Sequence, residues 1–133
     1  MDENKFKNLM LMAKSLQELE PERSDFWRGF QRGLRRLYHG ESFGTESEHE
    51  LYLTCAKGDY RKQLQTGYRA GYYYDHLTIE GAKDVQPLRK IIGLSVAEIA
   101  EITTVSPRTV EGWEQCKPMS KPALELIKKY LMI

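Results

Sequence analysis

The chain has 133 residues, enough for one ordinary domain or two small ones around a buried core. An apolar fraction of 41% beside a charged fraction of 29% excludes a disordered chain, and no run approaches the roughly 18 apolar residues that cross a bilayer. The net charge of +1 is spread evenly, with 12 Lys and Arg against 13 Asp and Glu before Ala82 and 8 against 6 from Ala82 onward, so any nucleic-acid contact has to rest on a local basic face rather than on bulk charge.

In chain order the periodicities predict an all-α protein. Asn4 to Leu19 sets Phe6, Leu9, Met10, Ala13 and Leu16 on one helical face. Charges interrupt this apolar stretch and no small-residue cleavage site follows it, so it is not a signal peptide and the protein is expected in the cytoplasm. Pro21 closes that helix, and Asp25 is expected to cap a second one running to about Tyr38, where Gly40 supplies a stop. Thr45-Glu-Ser-Glu48 has the capping-box pattern and opens a third helix through about Lys57. Gly58-Asp59 breaks it, and Asp59 caps a fourth to about Tyr74. Cys55 and Cys116 belong to no CxxC pair, which suits a reducing compartment and leaves no zinc site.

Two segments of this first half share a pattern: Gly29-Phe-Gln-Arg-Gly33 and Gly67-Tyr-Arg-Ala-Gly71. Glycine costs a helix about 1 kcal/mol relative to alanine, and glycines four apart lie on one face where a second backbone can approach. Those on the fourth helix join Tyr60, Leu64 and Tyr68; those on the second border Trp27, Phe30, Leu34 and Leu37. The two helices are therefore expected to cross at their glycines. Arg28, Arg32, Arg35 and Arg36 fall opposite the second helix's apolar stripe, as a solvated face or as a contact for an anionic partner such as DNA phosphate or an acidic protein.

After a joint at Leu77–Lys83, Asp84 can cap a short helix with Pro87 in its first turn and Gly93 at its end. Ser95-Val-Ala-Glu98 is a second capping box, opening a helix with Val96, Ile99, Ala100 and Ile102 available for burial. Thr103–Val105 forms the turn. Ser106-Pro107 is a strong helix start, after which Val110 and Trp113 anchor the next helix on the core. Arg108, Thr109, Glu111, Gly112 and Gln115 then point outward. A helix 10–12 Å across fits the DNA major groove, where an arginine can pair bidentately with guanine. Arg108 is the expected base reader, Thr109 offers a hydroxyl or a methyl, Gln115 suits a phosphate, Gly112 removes a side chain at closest approach, and Ser106, Pro107, Glu111 and Lys117 complete the expected DNA-binding set. The N–H groups at the Ser95 helix start, with Ser95 itself, suit a phosphate oxygen.

At these residues GLSVAEIAEITTVSPRTVEGWEQCK resembles the Xre/phage-repressor helix-turn-helix family, whose members commonly read GLSQ-x-x-LA-x-x-x-GVS-x-x-T(I/V)-x-x-WE-x-G. Gly93, Leu94, Ser95, Ile99, Ala100, Val105, Ser106, Thr109, Val110, Trp113 and Glu114 match. Val96 departs from the glutamine that contacts phosphate, Thr104 from the turn glycine and Cys116 from a frequent glycine; the second departure implies a slightly different turn backbone. The ending KPMSKPALELIKKYL is similar to that of antitoxin-like members, with a last helix packed on the domain. The resemblance covers about 50 residues and implies a prokaryotic, sequence-specific DNA-binding regulator, acting as a repressor, whose residues 81–133 form a five-helix helix-turn-helix domain and whose residues 1–80 form a separate helical domain.

Other readings are weighed against it. An enzyme lacks support: His39, His49 and His76 have no metal-ligand spacing, and no GxSxG, P-loop or HExxH motif occurs. An antitoxin would use the first half to cover a toxin-like protein while the second represses the shared operon. The aromatic-rich first half, in a chain with eight tyrosines, could bind a small effector, although tyrosines at helical spacing usually fill cores and interfaces. No cofactor or metal is expected. A homodimer follows from mechanism, since one helix-turn-helix grips one half-site of a palindrome. Its contact is sought either at the apolar end formed by Leu126, Ile127, Tyr130, Leu131, Met132 and Ile133, or on the first helix with Met10 and Met12.

Overall fold

The computed structural model describes residues 1–54 and 62–133. Among these every regular element is helical, and the chain divides into two units, Met1–Asp75 and His76–Ile133. No helix of the described residues is long and apolar enough to cross a membrane. Cys55, Lys57, Gly58, Asp59 and Tyr60, with the expectations attached to them, lie outside the described residues.

In the first unit, α1 (Glu3–Leu19) is capped by Asp2, whose carboxylate accepts from the Lys5 N–H. A 3₁₀ turn at Pro21–Arg23 leads into α2 (Ser24–His39), which ends at Gly40 with φ 66°. Asp25 does not cap α2: the helix starts one residue earlier, and Asp25 pairs instead with Arg28 at 3.3 Å in the first turn. In α3 (Glu46–Leu53) the Thr45 hydroxyl accepts from the Glu48 N–H as expected, but the Glu48 carboxylate reaches Arg32. The helix closes at Leu53, short of Lys57. The unit ends with α4 (Lys62–Tyr72).

Helices α2 and α4 cross at their four glycines, as the repeated pattern predicts. A Cβ placed on Gly29 would stand 2.0 Å from the Leu64 carbonyl oxygen, and one on Gly33 2.0 Å from that of Tyr68. In return, one on Gly67 would stand 2.0 Å from the Phe26 carbonyl oxygen and one on Gly71 2.3 Å from that of Phe30. The glycines let two backbones touch, and the large side chains close around the seam: Phe26, Trp27, Phe30 and Leu34 from α2, with Tyr68 from α4. Helix α1 also packs on α2 and contributes Leu9, Met10 and Ala13. Polar ties cross this packing, with Trp27 Nε1 donating to Glu20 Oε1 at 2.9 Å and Gln31 Nε2 to Gln17 Oε1 at 2.8 Å.

Arg36 corrects the reading of an arginine-rich solvent face. It is 6% exposed and donates to the Phe43 carbonyl at 2.9 Å and to Glu46 at 2.7 Å, so it ties α2 to α3 and is closed to any partner. Arg32 is held by Glu48. Arg28 and Arg35 remain: the first lies beside Asp25, and the second lies over the Phe43 ring.

His49 is buried between Tyr68 and Tyr72, with its Nδ1 2.6 Å from the Tyr68 hydroxyl. Burial, aided by the Arg36 guanidinium, lowers its pKa below the usual 6.5. Burial likewise pushes the Tyr68 phenol above its usual 10.0. A histidine kept neutral in the fold binds fewer protons than in the unfolded chain, so stability is full above pH 6.5 and falls as the pH drops below it. The tyrosine costs nothing below pH 10.0 and weakens the fold above it. Urea midpoints measured across pH should show a plateau with both shoulders, and His49→Gln should flatten the acid one. An unchanged acid shoulder in that variant would remove His49 as its source.

The second unit holds α5 (Val85–Ile92), α6 (Val96–Thr103), α7 (Pro107–Glu114) and α8 (Lys121–Leu131), preceded by a 3₁₀ turn at Ala82–Asp84. It therefore has four α-helices among the described residues, where five were expected. Asp84 stands at the start of α5 but turns its carboxylate back to the Glu80 N–H at 2.8 Å. Leu77, Ile79, Val85, Leu88, Ile92, Leu94, Ile99, Val110, Trp113, Ile127 and Leu131 make the core. Ile127 and Leu131 are thus spent on packing α8 into this core, which takes them out of the apolar end that was one candidate dimer contact.

All four helices close past a left-handed residue, and in each the N–H of the next residue donates to the carbonyl five residues back: Leu94 to Arg89, Val105 to Ala100, Lys117 to Gly112 and Ile133 to Lys128. Only α5 places glycine there, Gly93 at φ 77°; Thr104, Cys116 and Met132 take φ 58°, 64° and 61°. Thr104 thus adopts the conformation that glycine favours, so the departure from the family's turn glycine is absorbed as strain, where a different turn backbone was expected. A left-handed residue with a Cβ costs roughly 1–2 kcal/mol, against about 0.5–1 kcal/mol of extra chain entropy lost by glycine. Cys116→Gly should therefore stabilise the unit by about 0.5–1 kcal/mol, read as a higher urea midpoint at unchanged slope. A lower midpoint would mean that the thiol contributes packing the backbone argument omits.

Candidate nucleic-acid interface

The sequence Ser106-Pro-Arg-Thr starts α7 by two separate devices. Pro107 occupies the first helical position, where a missing N–H costs nothing, and the Ser106 hydroxyl accepts from the Thr109 N–H at 3.3 Å. The same hydroxyl lies 3.0 Å from the Thr109 hydroxyl, so the two side chains fix each other at the helix mouth. Val110 at 0% exposure and Trp113 at 3% hold the inner side. Pro107, Arg108, Thr109 and Glu111 are exposed on the helix, with Gln115 and Lys117 just beyond its end. Arg108 has no carboxylate partner among the described residues, so its guanidinium is available to an external acceptor.

Gly112 corrects one assignment. It is buried, because the chain reverses at Cys116 and brings Lys117 back over it: an added Cβ would meet Lys117 Cδ at 3.2 Å. The Lys117 N–H donates to the Gly112 carbonyl at 3.0 Å and the Cys116 N–H to that of Trp113 at 2.9 Å. The glycine thus makes room for the lysine stem and is not an approach point for a groove. Lys117 in turn is held beside the exposed side of α7.

Helix α6 precedes this element across the turn at Thr104. Its capping box is complete: Ser95 Oγ accepts from the Glu98 N–H and Glu98 Oε1 accepts from the Ser95 N–H, both at 3.1 Å. The Ser95 N–H is therefore occupied, and what Ser95 retains for a phosphate is its hydroxyl proton. The Val96 and Ala97 N–H groups complete that helix start.

Arg89 and Glu114 were not singled out from the sequence as a pair. They form a largely buried ion pair joining α5 to α7, and Arg89 also donates to the Leu94 carbonyl at 3.4 Å. The signal was present: Glu114 stands four residues after Val110, so helical spacing puts this acid on the inner side, where a charge needs a partner. The pair fixes the C-terminal end of α7 as Ser106 fixes its start. Comparison with protein-family models, with curated proteins and with solved structures finds no match for the chain.

Proposed function

We propose that the chain is a sequence-specific DNA-binding regulator of transcription, a repressor, that lays α7 in the major groove with Arg108 at a guanine edge. The observation that carries the reading is the division of α7. One side is pinned by Val110, Trp113 and the Arg89–Glu114 pair, and the other presents Arg108, Thr109 and Glu111, the arginine having no carboxylate partner among the described residues. A helix of this width enters the major groove, where the arginine finds the N7 and O6 acceptors of guanine and a glutamate can accept from cytosine N4. Helix α6, lying before it across a tight turn, offers N–H groups at its start to the DNA backbone.

Selection of bound duplexes from a random pool tests the reading. Enrichment of a short motif containing at least one invariant guanine supports it. A pool that stays random after repeated rounds, with protein shown to be folded, contradicts it.

A further inference from the structure

Helix α1 is apolar on two sides. Leu9, Met10 and Ala13 are buried towards α2, yet Leu11 is 67% exposed, Met12 54% and Leu19 76%. At about 100° per residue, Asn4, Asn8, Leu11, Met12, Ser15 and Leu19 fall within one arc of the helix, opposite the buried side. None of the six is charged, in a chain where 29% of residues are. The one hydroxyl among them is turned inward, Ser15 Oγ donating to the Leu11 carbonyl at 3.1 Å. A solvated helix face seldom looks like this, and a covered one does.

We infer that a second copy of this chain covers this face, with the two α1 helices antiparallel about a twofold axis near Met12 and Ala13. The edges of the stripe argue for a copy and for that direction. Lys7, which pairs with Glu3 of its own helix at 2.9 Å in an exposed i, i+4 contact, lies on the same edge as Glu18, so antiparallel pairing adds Glu18 of the partner subunit to it, and symmetry makes the contact twice. Parallel pairing about a twofold axis brings opposite edges together, so Lys7 and Glu18 would not meet. In the antiparallel register Leu11 falls between Met12 and Ser15 of the partner subunit, and the Lys14 stem covers Leu11 of the partner subunit. The C-terminal end offers no equal surface, because Ile127 and Leu131 are inside the core. The inference supplies the twofold symmetry that a palindromic DNA site needs, and rests on the DNA reading only in that consequence.

Sedimentation of the full chain tests it. The wild type should be a dimer at tens of micromolar, and Leu11→Glu with Leu19→Glu should make it a monomer with unchanged helix content. Glu18→Lys alone and Lys7→Glu alone should each weaken the dimer about tenfold, counting two lost pairs and two new repulsions, and the combined swap should restore it. With Cys55 and Cys116 replaced by serine, Met12→Cys should cross-link two chains on oxidation and Asn4→Cys should not. A monomeric wild type, a dimer indifferent to the leucine changes, or an Asn4→Cys cross-link overturns the inference. A wild-type dimer that selects no DNA leaves it standing and removes the DNA reading, whereas a monomer that selects DNA does the reverse.

Discussion

Gly33→Ala should destabilise the Met1–Asp75 unit by at least about 3 kcal/mol, although helix propensity alone predicts a gain of about 1 kcal/mol. The added methyl would lie 2.0 Å from the Tyr68 carbonyl oxygen and 2.7 Å from the Tyr72 nitrogen, both backbone atoms of a packed helix. No rotamer change relieves a backbone clash, so α2 and α4 must separate and the Phe26–Trp27–Phe30 packing must open with them. The two effects have opposite signs, which makes the result decisive. Gly81→Ala is the control: nothing lies within 4 Å of its would-be Cβ, and a change within about 0.5 kcal/mol is expected. Thermal melts followed by circular dichroism check both. A Gly33→Ala variant as stable as wild type would mean that the helices do not cross at their glycines.

Arg108→Ala is expected to cost specific DNA affinity about tenfold to a hundredfold while leaving the melting temperature unchanged. The side chain is exposed with no internal partner among the described residues, so its loss removes nothing from the fold. Binding to unrelated duplexes should fall far less, since that binding rests on phosphates rather than on a base edge. Fluorescence anisotropy on the selected site and on a scrambled one separates the two. An equal loss on both would assign Arg108 to the phosphate backbone.

Much of this was legible because it depends on short-range rules. The glycine spacing predicts the α2–α4 seam, since glycines four apart leave one helix face bare enough for a second backbone to lie on it. Ser95, Ser106 and Thr45 announce their helices through hydroxyls whose partners stand three residues on. The i, i+3 pair of Val110 and Trp113 gives the inner side of α7.

What was not legible depends on where loops travel. Arg36 lies opposite the apolar stripe by spacing, yet the chain after Gly40 folds over it and supplies the Phe43 carbonyl and Glu46. Gly112 lies on the outward side of α7 by spacing, yet the left-handed turn at Cys116 returns Lys117 across it. Asp25 misled for a simpler reason. A capping residue and a first-turn acid look alike in sequence, because both satisfy the positive end of a helix.

The most direct test of the DNA reading is methylation interference on the selected site. Arginine at a guanine edge needs N7, which methylation blocks within the major groove. Wild-type binding is expected to be abolished by methylation of one guanine in each half-site, and binding by Arg108→Ala to be indifferent to methylation there. Unimpeded binding to fully methylated DNA, or an interference pattern that Arg108→Ala leaves unchanged, would contradict the DNA reading.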